Sequence, residues 1–147
     1  VAALRRRTAK VDAQNAGDPL YRPMSGNEAT SLAFQAARAL EYAIPFLEKA
    51  SKVTLVVVGS KPDDVGASYL ARNLGRANIN ATIDPIDPGA VSGRARGRAL
   101  LNYTHDKAAD LLVMGAYGRG QVLSFLGLGG ATGKVICSCG VPLLMAH

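Results

Sequence analysis

A chain of 147 residues, 48% of them apolar, can bury one core and is short for two domains. Its apolar runs, Val53 to Val58 and Leu111 to Met114, are strand-sized, and no secretory signal is evident, so the expectation is a cytoplasmic protein that does not enter a membrane. The net charge of +6 suits nucleic acid, acidic lipid or a phosphorylated ligand alike, but Arg38, Arg72, Arg76, Arg94, Arg96, Arg98 and Lys134 are scattered as on a solvated surface, and with only 5% of residues aromatic a nucleic-acid binder stands behind.

In chain order, residues 1–24 combine the run Arg5 to Arg7 with polar residues and prolines and show no sustained period; they read as an extension or linker before a domain spanning 25–147. From Asn27, which with Ser25 before it is a candidate cap, Ala29, Leu32, Ala33, Ala36, Leu40, Ile44 and Leu47 fall at helical spacing, and Pro45 is expected to kink or end the helix. KVTLVVVGS reads as a strand covered on both faces and closed by Gly59. Val65, Tyr69, Leu70 and Leu74 return to helical spacing, and INATIDPIDPG alternates as a shorter strand stopped by Pro85 and Pro88. VSGRARGRALLNYTHDKAAD predicts an arginine-rich helix, LLVMGAY a strand, Lys134 to Ser138 a short helix and PLLMAH a last strand. Such alternation predicts a parallel sheet wrapped by helices on both faces, with ligands at the carboxyl ends of its strands.

The stretch from Asp110 to His147 carries the chemistry. Gly115 and Gly118 close a strand and allow close backbone approach, while Gly129, Gly130 and Thr132 stand at the start of the short helix, where amide N–H groups and the helix dipole favour an anion. The spacing is neither a Walker loop nor GxGxxG. Arg119 and Lys134 are near enough in sequence to add positive charge. Cys137 and Cys139 are too close for an ordinary staple and too few for a zinc site, so they read as buried thiols. Neither His105 nor His147 is placed with a nucleophile, and no catalytic residue or metal site is identified.

These residues resemble the universal stress proteins, whose nucleotide-binding members carry Gly, two residues, Gly, nine residues, Gly, then Ser or Thr. Gly115 and Gly118 match the first pair, LGLGGAT is similar to the second cluster, and VPLLMAH looks like the family's last strand. The resemblance runs from about Ser25 to His147. It implies a doubly wound parallel five-stranded sheet, Rossmann-like and similar to the adenine nucleotide α-hydrolases. It also implies ATP or another adenine nucleotide, with Mg, its base near Val58, its ribose near Ser25 and Gly26, and its phosphates over Gly115, Gly118, Gly129, Gly130 and Thr132, with Arg119 beside them. The implied role is stress-response regulation without conventional catalysis, at most slow ATP hydrolysis, in a homodimer joined through Pro142 to His147.

Three positions depart from the pattern. Ten residues separate Gly118 from Gly129, Gly130 replaces a serine, and Ser25 replaces an aspartate at the end of the family's first strand, which here aligns with LYRPMSGNE. Gly130 and Ser25 support the alternative, a nucleotide-free dimeric interaction module.

Overall fold

The computed structural model describes residues 2–5, 30–59, 65–90, 92–116 and 130–146. They form β1 (Ala2–Arg5), α1 (Thr30–Leu47), β2 (Val53–Val58), α2 (Val65–Arg76), β3 (Ala81–Ile86), α3 (Gly93–Asp106), β4 (Leu111–Gly115), α4 (Ala131–Ser138) and β5 (Leu143–Ala146). The strands lie in the order β3-β2-β1-β4-β5.

The expectation of a doubly wound parallel five-stranded sheet, Rossmann-like in topology, is overturned. Among the described residues, parallel pairing is confined to two two-stranded ladders, β2 with β3 and β4 with β5. Between them β1 runs antiparallel to both neighbours, Ala2 facing Val56 on one side and Met114 on the other. The physical reason lies in the chain's first residues. A parallel neighbour requires a crossover that returns the chain to the same end of the sheet, whereas an antiparallel one can enter from the opposite end. Ala2–Arg5 takes the central position in that antiparallel sense, within a stretch that shows no strand period. The expected first strand around Leu20 to Met24 lies outside the described residues.

Because β1 opposes both β2 and β4, those two strands point the same way, and the carboxyl ends of β2, β3, β4 and β5 share one edge. Alternation then sorts their side chains onto two faces. Val53 and Leu55 of β2, Leu111 and Val113 of β4, and Ala146 of β5 pack with Ala36, Ala39, Leu40, Ala43 and Leu47 of α1 and Leu70 and Leu74 of α2. Val56, Leu112 and Met114 face the other way, onto Leu100 of α3 and Val135 of α4. Burial of each large side chain of this kind contributes about 1.5–3 kcal/mol against exposure. Pro45 stays inside α1, which continues for two residues beyond it, and Glu48 N–H still reaches the carbonyl of Ile44 at 2.9 Å.

α3 is fastened at both ends. The Ser92 hydroxyl accepts from the Ala95 amide at 3.1 Å, the arrangement expected of a serine cap. Farther along, the Tyr103 hydroxyl donates to Asp84 of β3 at 2.5 Å, and the Lys107 ammonium lies 5.4 Å from the centre of the Tyr103 ring. Burial first, then the hydrogen bond to Asp84 and that carboxylate's charge, push the Tyr103 phenol above its ordinary pKa.

Tyr103→Phe should cost about 1–2 kcal/mol in urea unfolding at neutral pH, since a hydrogen bond to a charged acceptor is lost. The raised pKa means that the folded state favours the neutral phenol. The contribution is therefore complete below the unfolded value of about 10 and is lost as pH rises above it. Wild-type stability should fall more steeply than that of the variant above about pH 10. Parallel curves for the two proteins would show that the Asp84 contact contributes nothing.

Candidate functional site

A helix that joins two strands pointing the same way must start at the edge where the first strand ends. α2, α3 and α4 therefore all have their amino ends at the edge formed by Val58, Ile86, Gly115 and Ala146. The turns there are short and well pinned. Gly59, at φ +75°, follows β2 and donates its N–H to Ile86 at 3.0 Å, and Ala116 N–H reaches the carbonyl of Ala146 at 2.8 Å. The Asp87 carboxylate accepts from the Gly89 amide at 2.8 Å, closing the turn after β3.

The expected nucleotide residues divide into two sets. Val58, Gly115, Gly130 and Thr132 are described and belong to this edge, whereas Ser25, Gly26, Gly118, Arg119 and Gly129 lie outside the described residues. Val58 is half-buried at the end of β2. Gly115 closes β4, and its bare Cα is where α1 comes closest to the sheet. A Cβ there would sit 2.8 Å from the Ala36 nitrogen and 2.8 Å from the Gln35 Cβ, distances that real side chains do not tolerate. The glycine is thus required by helix packing before any ligand is considered.

Gly130 caps α4 with extended backbone and makes no side-chain cap hydrogen bond. Thr132, two residues on, is buried within the first turn. The amino end of α4 is held beside α3 by a second glycine. A Cβ on Gly97 would lie 2.9 Å from the Ala131 carbonyl oxygen and 3.0 Å from the Lys134 Cβ. The Lys134 ammonium, which the sequence places near enough to reach an anion, instead donates to the Ser138 hydroxyl at 3.1 Å, one turn toward the helix's carboxyl end.

Three residues have a placement that the pattern of the sequence hides. Arg96, one of several arginines that read as a solvated face, carries its side chain over Gly59. Its Nε would lie 3.8 Å from a Cβ built on that glycine, and the Pro88 ring 3.4 Å. The turn residues Pro88 and Gly89 and the cap Ser92 were the available signals, since they fix where α3 begins. Cys137 is exposed and Cys139 half-buried, its thiol 3.4 Å from the Val141 carbonyl, so the pair is not the buried set expected. His105 is exposed and 3.5 Å from Asp106, its neighbour in sequence, with no nucleophile facing it among the described residues.

No helix among the described residues is long and apolar enough to cross a membrane. No protein-family model matches the chain, and no solved structure matches it.

Gly115→Ala should lower the unfolding free energy by about 1–3 kcal/mol, the range for overpacking a close contact, and Gly97→Ala should do the same by prying α4 from α3. Urea denaturation measures both. An alanine that left either midpoint unchanged would show that the neighbouring helix yields without cost.

Proposed function

We propose that this chain is a cytoplasmic regulatory protein that takes an adenine nucleotide, ATP with Mg, along the carboxyl edge of its strands. The observation that supports this reading most is the convergence there of four strand ends with the amino end of α4, capped by a glycine. Backbone N–H groups at such an end attract phosphate, and the dipole adds to the attraction. The resemblance to universal stress proteins supports the same edge, through Gly115, Gly130 and Thr132 for the phosphates and Val58 for the base. It extends the site to Ser25, Gly26, Gly118, Arg119 and Gly129. The role that follows is stress-response regulation, in which bound nucleotide favours one arrangement of the edge over another. The same resemblance implies at most slow ATP hydrolysis.

A homodimer through Pro142 to His147 belongs to the same proposal, and one observation favours it. Among the described strands the sheet's edges are β3 and β5. β3 contains Pro85, which cannot donate to a ladder, and Asp84, both of which blunt an edge against pairing. β5 carries Leu143, Leu144 and Met145, each only partly buried, and no such guard. If the nucleotide does not bind, that edge still supports the dimeric interaction module.

Calorimetric titration with ATP and AMP, with and without Mg, tests the reading, alongside Gly118→Val and sedimentation analysis of the free protein. Saturable ATP binding that Gly118→Val abolishes in a folded protein is the expected result. A folded dimer that takes up no ATP at millimolar concentration would leave the interaction module alone, and a monomer would remove that as well.

A further inference from the structure

We propose that Arg96 is the base-recognising residue of this edge, the outer face of its guanidinium stacking on a planar aromatic ring; the inference rests on the nucleotide reading above. Four observations carry it. The Arg96 side chain passes over Gly59, which has no side chain of its own, is exposed and has the half-buried Pro88 ring beside it. The guanidinium therefore rests on Gly59 and the Pro88 ring with its other face toward solvent. Gly59 is pinned by its bond to Ile86, and the first turn of α3 by the Ser92 cap and by the Arg96 amide, which donates to the Ser92 carbonyl at 3.1 Å, so the backbone at both Gly59 and Arg96 is fixed. Arg96 has no ion pair among the described residues; the nearby Asp87 carboxylate is engaged by the Gly89 amide, and Asp84 by Tyr103.

A guanidinium that meets no carboxylate among the described residues has two strong uses, bidentate contact with phosphate and stacking on a ring face. Position decides between them. Gly97, the next residue, meets the first residue of α4, while the Arg96 side chain heads the other way, to the end of β2. A ligand whose phosphates lie at the amino end of α4 therefore brings its opposite end, the base, to Arg96. Arg94 and Arg98, which flank Arg96 at two residues on either side, project from other parts of the helix surface and are exposed.

Three proteins, wild type, Arg96→Ala and Arg96→Lys, would be titrated with ATP and with inorganic tripolyphosphate, the latter by displacement of a fluorescent ATP analogue. Thermal melting would confirm that each is folded, which an exposed position in the first turns of a helix should permit. Arg96→Ala should weaken ATP about ten-fold, in keeping with the loss of one stacking contact, and leave tripolyphosphate unchanged. Arg96→Lys should resemble the alanine variant, because it keeps the charge and loses the plane. Parallel weakening of ATP and tripolyphosphate, or rescue by lysine, would overturn the inference by making Arg96 a phosphate ligand. Unchanged ATP affinity in Arg96→Ala would overturn it while the nucleotide reading stood. Wild-type protein that binds no nucleotide would sink both.

Discussion

The edge depends on backbone touching backbone at two glycines. Gly115 lets α1 settle on the end of β4 with Ala36 and Gln35 almost against its Cα, and Gly97 lets the first residue of α4 lie directly on α3. Interiors are packed tightly enough that a single methyl group at such a contact displaces an element instead of filling a gap. At Gly97 that displacement would move the amino end of α4, the strongest anion-attracting feature among the described residues. At Gly115 it would move the helix that, with α2, covers one face of the sheet. Packing and chemistry thus meet at the same atoms, and a loss of binding in a Gly115 variant has to be separated from a loss of fold before it is read as a lost phosphate contact.

The antiparallel central strand has a consequence of its own. By opposing both neighbours, β1 keeps β2 and β4 pointing the same way, so the four other strands end together although the sheet is mixed. An antiparallel pair between β2 and β4 would have split those ends between two edges, and with them the amino ends of α3 and α4. The gathering of helix starts therefore survives the departure from a wholly parallel sheet. It survives because the two parallel ladders are each intact, with α2 crossing between β2 and β3 and α4 between β4 and β5.

Much of this was legible from residue patterns. VTLVVV and LLVM are short β-branched or apolar runs and are the buried strands β2 and β4, and the helical spacing of Ala36, Leu40 and Leu47 is the buried face of α1. β1 was not legible, because Ala-Ala-Leu-Arg leading into two more arginines has neither β-branching nor alternation. Nor can strand direction be read from a strand's own residues, since it is fixed by where the connections place its ends. Gly115 stood out as a glycine, but the pattern could not say whether a ligand or a helix required it. Arg96 was hidden for a related reason: in GRARGR every arginine looks alike, and only the angular step of the helix and the position of Pro88 single one out.

Gly130 shows how one substitution can carry two opposite effects. Where the resemblance puts a serine, the hydroxyl could hold a phosphate oxygen, and the glycine forfeits that contact. A serine at a helix cap also has a competing use, which α3 displays: Ser92 accepts from the Ala95 amide, three residues on. The equivalent amide in α4 belongs to Gly133, and Gly130 offers no oxygen to take it. An amide without a side-chain cap at a helix start is a donor for water or for an anion. Losing the hydroxyl therefore removes one contact to phosphate and withdraws a rival for another, so the substitution does not by itself argue against an anion at α4.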